Sequence, residues 1–118
     1  MITIYKEFTF DAAHLLPNVP EGHKCRQLHG HTYHLRVYVA GEPAPPEEWV
    51  IDYGDLKVHL QPILRELDHK YLNDINGLEN PTAEAVVIWI WRKLKPGLPG
   101  LKKIELKETP GSGAIYEE

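Results

Sequence analysis

A single cysteine leaves no partner for an internal disulfide, so nothing in this chain calls for an oxidising compartment. Basic residues are also scarce. Thirteen Lys and Arg face seventeen Asp and Glu, a net charge of −4, which argues against a nucleic-acid binder or a membrane-surface binder built on a basic face. No stretch approaches the roughly 20 consecutive apolar residues of a membrane span. The first six residues lack the basic start and apolar run of a signal peptide. Internal repeats, low-complexity tracts and dividing linkers are absent too. Residues 1–118 are expected to form one domain of common size, and a cytoplasmic location is the natural expectation.

Histidine is what the chain has in unusual concentration. Four of its seven histidines fall between His23 and His34, and the stretch Cys25-Arg26-Gln27-Leu28-His29-Gly30-His31 holds a thiol and two alternating imidazoles. Residues at i and i+2 of a strand project from one face, so His29 and His31 can meet one ion. Neutral imidazole is a common zinc ligand, and three histidines with one open position make a catalytic zinc pattern.

The expected strands carry the third imidazole to the same side. Residues 2–10 alternate with Ile2, Ile4, Phe8 and Phe10 on one parity, and continuing that parity reaches Ala12 and His14. Residues 31–40 alternate likewise, with Tyr33, Leu35, Val37 and Val39 apolar and His29 and His31 in phase. A turn over residues 41–46 and a short extended piece at residues 49–51 lead to a helix capped by Asp52, with Asp55 three residues on. Leu56, Leu60, Ile63, Leu64 and Leu67 follow helical spacing, and Pro62 is expected to kink or divide that helix. Asn80-Pro81-Thr82 opens a second helix, which stops before Pro96. Residues 101–108 and 114–117 complete the strands. The order strand, strand, helix, helix, strand, strand predicts an α+β fold, a four-stranded antiparallel sheet with two helices on one face.

Three further groups are candidates for chemistry. Cys25 sits among Lys24, Arg26 and histidines, and cationic neighbours favour thiolate. It can serve as base, nucleophile or fourth zinc ligand, and the last would close the metal site into a structural one. Asp68 beside His69 can fix an imidazole tautomer and stabilise its charged form, although adjacent residues meet only if the chain turns there. Glu108 shares the parity of Ile104 and Leu106, and an inward carboxylate accepts two N–H donors from a heterocycle edge. Glu84 falls in the first turn of the second helix, where an acid suits the dipole.

Together these residues resemble the 6-pyruvoyl-tetrahydropterin synthase family over essentially the whole chain. The carriers are Phe8-Thr9-Phe10-Asp11-Ala12-Ala13-His14, Cys25 through His31, Leu67-Asp68-His69, Asn80-Pro81-Thr82-Ala83-Glu84 and Lys107-Glu108-Thr109. Three residues between Cys25 and His29 look like the bacterial branch that makes 6-carboxy-5,6,7,8-tetrahydropterin for queuosine biosynthesis. The resemblance implies Zn2+ on His14, His29 and His31. It implies Cys25 as proton-transferring base, with Asp68 and His69 supplied by a neighbouring subunit, and Glu108 anchoring the pterin. It also implies the T-fold, in which subunit sheets join into a barrel and assemble as a homohexamer of two trimers. The implied substrate is 7,8-dihydroneopterin triphosphate, with Lys24 and Arg26 as candidate triphosphate contacts.

Overall fold

A computed structural model describes residues 1–118. Strand β1 (Ile2–His14) pairs antiparallel with β2 (His29–Gly41) along its whole length, from Ile2 opposite Gly41 to His14 opposite His29. Helix α1 (Tyr53–Leu67) follows, then a two-residue strand β3 (Lys70–Tyr71), helix α2 (Ala83–Leu94), and strands β4 (Leu101–Thr109) and β5 (Ser112–Glu117). The sheet order is β3-β1-β2-β4-β5.

The expected four-stranded antiparallel sheet is therefore a five-stranded mixed one. The added strand, β3, runs parallel to β1, with Lys70 opposite Ala12 and Tyr71 opposite Ala13. Two residues are too few to display a period, so hydrophobic patterning carries no trace of it. Its placement matters for the site, because it holds the end of α1 against β1. The extended piece expected at residues 49–51 reduces to a single bridge between Ala44 and Trp49.

Alternation assigns the sheet two different faces. Phe10, Ala12, Tyr33, Leu35, Val37, Ile104 and Leu106 point to one side and join one cluster of 21 buried residues with Leu56, Leu60, Leu67, Val86 and Ile90 of the helices. Each fully buried leucine contributes roughly 1.5–3 kcal/mol, so the helices are held mainly by this packing. Asp52 caps α1 by accepting from the Gly54 N–H at 2.8 Å. Pro62 does not divide the helix, which continues to Leu67. The carbonyl its ring leaves unpaired belongs to Val58, a residue 63% exposed, where water can serve as the donor. Thr82 caps α2 by accepting from Ala85 N–H at 3.1 Å. Neither helix is long and apolar enough to cross a membrane.

Candidate metal centre and adjoining cleft

The β1–β2 register builds the histidine cluster. His14 and His29 are direct partners across the ladder, and His31 lies two residues along, opposite Ala12. All three project to the helix-covered face at its end, and the small Ala12 leaves room for the His31 ring. Ring centroids stand 4.5 Å (His14–His29), 5.1 Å (His14–His31) and 5.1 Å (His29–His31) apart. One nitrogen from each ring lies within 4.8 Å of the others.

Hydrogen bonds decide which nitrogens are free. His14 Nδ1–H donates to the Pro81 carbonyl at 2.8 Å, and His29 Nδ1–H donates to the Gln27 carbonyl at 2.7 Å. Both Nε2 atoms then carry lone pairs. Nε2 of His14 and of His31 is buried without a hydrogen-bond partner, which is costly unless something fills the role. Carbonyls that orient metal-binding imidazoles in this way are the usual outer partners of such sites. The donor set fits zinc, whose bonds to histidine nitrogen run about 2.0–2.1 Å. Burial, together with His29 and His31 nearby, holds His14 below the ordinary histidine value, against the Pro81 hydrogen bond and the Glu108 charge. Burial lowers His31 as well, with Glu108 opposing it.

Two neighbours of the cluster escaped the sequence reading. Tyr33 is fully buried, its hydroxyl 3.3 Å from His14 Nδ1 and its ring 5.5 Å from that of His31. Burial and the Glu108 charge push its phenol up, so it stays neutral. Asn73 accepts from Leu15 N–H at 3.1 Å and donates to the Leu15 carbonyl at 2.9 Å, pinning the chain just past His14. The only sequence hint was the ring parity that Tyr33 shares with the histidines.

A cleft of about 490 Å3 opens beside the histidines, lined by Lys24, Cys25, His29, His31 and Glu108 together with Thr109 and Ser112. Cys25 is half-buried on a single 3-10 turn, Lys24–Arg26. It stands outside the histidine cluster, which is a three-residue group. Glu108 enters the cleft through a bulge. Lys107 pairs with Gly113 and Thr109 with Ser112, so Glu108 is the extra residue between them, and bulges re-aim side chains in this way. Arg26 is directed elsewhere, its guanidinium donating to the Val19 carbonyl at 3.1 Å.

Asp68 and His69 are brought together, though not at the histidine cluster. His69 adopts φ +60°, a left-handed conformation uncommon outside glycine and associated with functional positions. That turn lets its Nδ1 reach Asp68 Oδ2 at 3.0 Å. The backbone of Asp11 grips both residues: its N–H donates to Asp68 Oδ1 at 2.9 Å, and its carbonyl accepts from His69 N–H at 2.6 Å. The Asp11 N–H, then His69, holds the Asp68 carboxyl below the usual range. Asp11, Asp68 and His69 form a second close group, and the His69 side chain is 79% exposed. Asp11 and His69 border a shallow depression with Gly30, His31 and Thr32, which meets the cleft of Cys25 and Glu108 only at His31.

Comparison with known proteins places this arrangement. The signature of 6-pyruvoyl tetrahydropterin synthase matches residues 3–118. The chain belongs to that family. Among its relatives is a 6-carboxy-5,6,7,8-tetrahydropterin synthase from Synechocystis, 50% identical over 98% of this chain and 93% of that protein. Another is a dihydroneopterin monophosphate aldolase from Pyrococcus furiosus, 38% identical over 92% of this chain and 91% of the relative. The 6-pyruvoyl tetrahydropterin synthase of Caenorhabditis elegans has a similar structure, with a TM-score of 0.91 at 28% identity, covering 99% of this chain and 95% of the other.

Proposed function

We propose that the protein is a zinc-dependent lyase that converts 7,8-dihydroneopterin triphosphate and water to 6-carboxy-5,6,7,8-tetrahydropterin, acetaldehyde and triphosphate, as queuosine biosynthesis requires. The observation that carries this reading is a single cleft shared by His29 and His31 of the histidine cluster, the Cys25 thiol and the inward Glu108 carboxylate. High identity to the Synechocystis synthase and the three-residue spacing from Cys25 to His29 support the carboxy branch. A closed structural zinc site is disfavoured because Cys25 stands apart from the three histidines.

In this reading His14, His29 and His31 would hold the zinc, which would supply Lewis acidity toward the side-chain oxygens and so make the adjacent C–H bonds acidic. Glu108 accepts two N–H bonds from the pterin edge and so fixes the ring. Cys25, as thiolate, removes the proton from C1′. Returning a proton to C6, while the C1′ hydroxyl proton passes to N5, converts the ring imine and the C1′ carbinol into an amine and a ketone. Removing the C2′ proton expels triphosphate from C3′, and the resulting enol becomes a methyl ketone. Water then adds at C1′, the C1′–C2′ bond breaks, and C2′ takes up a proton to leave as acetaldehyde. His69 is the second proton carrier. Its Nδ1 is engaged by Asp68, so Nε2 is the nitrogen free to face substrate.

Because His69, with Asp68 bonded to it, borders a different depression from Cys25, the complete site in this reading combines two copies of the chain. The sheet offers the means. β5 has a free outer edge, and β1 is covered by β3 only at Ala12 and Ala13. Joining such edges closes the sheets of a trimer into a barrel, and two trimers make the hexamer.

Identity to the monophosphate aldolase favours a second reading, aldol cleavage of the same C1′–C2′ bond with the phosphate retained. Metal add-back tests the shared premise. Stripping the protein with a chelator is expected to abolish substrate consumption, and zinc is expected to restore it. Equal consumption by the stripped protein would overturn the zinc assignment.

A further inference from the structure

The segment that carries Cys25 has no anchor in the hydrophobic core. None of residues 15–28 is buried, and only Leu15, Leu16, Val19 and Cys25 are even half-buried. Fourteen residues between two strands are therefore held by hydrogen bonds and not by packing. The Leu16 N–H donates to the Cys25 carbonyl at 2.7 Å, fixing one side of the Cys25 peptide. On the other side the Cys25 N–H donates to a side chain, Nδ1 of His23, at 3.0 Å.

His23 occupies the N-cap of the Lys24–Arg26 turn with an extended backbone, φ −69° and ψ 135°. The N-cap role is to accept from an N–H two or three residues on, and asparagine, aspartate and serine normally fill it. Histidine performs it here through Nδ1, which is attached to Cγ as asparagine Oδ1 is. An N–H can only donate, so Nδ1 must hold a lone pair and the ring proton must sit on Nε2. The ring thus accepts through Nδ1 and is tied to one backbone donor.

We propose that His23 is a positioning residue for Cys25: its Nδ1 holds the Cys25 peptide so that the thiol faces the cleft. The proposal rests on the reading of Cys25 as the base, and it concerns a residue to which that reading gives no task. Losing the cap leaves the Cys25 N–H to water and lets the turn fray, which moves the thiol relative to His29 and Glu108.

Three substitutions separate this role from bulk or polarity. His23→Ala removes the acceptor. His23→Gln keeps a polar side chain but moves its acceptor one bond farther out. His23→Asn puts an oxygen where Nδ1 now stands. Cys25 is the only thiol in the chain, so alkylation of the zinc-loaded protein by iodoacetamide reads its setting directly and without substrate. The expected result is alkylation about fivefold faster in the Ala and Gln variants, the ratio a typical N-cap corresponds to, with the Asn variant within about twofold of wild type. In turnover of dihydroneopterin triphosphate, kcat should fall about fivefold in the Ala and Gln variants and stay within about twofold in the Asn variant, with KM and zinc content unchanged. An Asn variant as altered as the Ala variant, or an Ala variant alkylated at the wild-type rate, would overturn the proposal. If the alkylation pattern holds but wild-type protein does not turn over the pterin, the functional reading fails and the role of His23 stands.

Discussion

His14 and Pro81 are joined across 67 residues by a 2.8 Å hydrogen bond from the imidazole Nδ1–H to the carbonyl oxygen. Through it the last residue of β1 is oriented by the entrance to α2, one position before the Thr82 cap. The bond assigns the His14 tautomer and leaves Nε2 free at the centre of the cluster.

The first prediction concerns the ligands. His29→Ala and His31→Ala are expected to weaken zinc binding by more than the roughly 10–100-fold that losing an orienting partner costs. Both side chains sit at the end of the core and not within it, so the far-ultraviolet spectrum should persist. Elemental analysis after dialysis checks this. Full occupancy in either variant would remove that residue from the metal site.

Cys25→Ala should keep zinc and lose turnover by about a hundred- to ten-thousand-fold, the usual contribution of a general base. Loss of zinc instead would make the thiol a ligand.

Acid should destabilise the metal-free protein in a defined window. His14 and His31 are both held below the ordinary value of 6.5, chiefly by burial. As pH falls through that value the unfolded chain binds protons that the folded chain does not yet accept, so stability is full above it and lost below it. Thermal unfolding of zinc-free protein from about pH 8 to about pH 5 should show a falling midpoint. A flat midpoint would contradict the burial of neutral imidazoles.

A site completed by two copies, as proposed, predicts complementation. Cys25→Ala and His69→Ala should each be inactive alone. Random mixing of the two chains should restore about one quarter of the sites, because adjacent copies can then supply both intact residues. Mixtures assembled by co-expression and assayed for pterin turnover provide the check, and no recovery would put all catalytic groups in one copy.

Glu108→Gln replaces one acceptor oxygen by an NH2 donor, which would confront a donor on the pterin edge. A hydrogen bond to a charged group is worth about 1.5–3 kcal/mol, so affinity for a non-reacting pterin should fall roughly ten- to a hundredfold. Calorimetry in the Cys25→Ala background measures this without chemistry, and unchanged affinity would detach Glu108 from the ligand.

The histidine cluster was legible in the sequence because strand parity is a two-residue rule, and β1 and β2 obey it from end to end. Parity also directed Glu108 inward, but the bulge that delivers it depends on the β4–β5 pairing register, which no local pattern encodes. The meeting of Asp68 with His69 needed a left-handed His69, and residue type alone does not announce that. Strand β3 and the Asp11 backbone grip follow from that same turn. Asn73 and His23 gave no sequence signal, and Tyr33 only its parity with the histidines, because their contacts are to groups distant or irregular in the chain. Pro62 does not divide α1, because the carbonyl it frees belongs to the exposed Val58 and can reach water.

The most direct test of the proposed activity is the identity of the two-carbon fragment released from 7,8-dihydroneopterin triphosphate by the zinc-loaded protein. Expulsion of triphosphate before cleavage predicts unphosphorylated acetaldehyde, in equal amount to 6-carboxy-5,6,7,8-tetrahydropterin. A fragment that still carries phosphate, or a pyruvoyl product with no fragment at all, would contradict it.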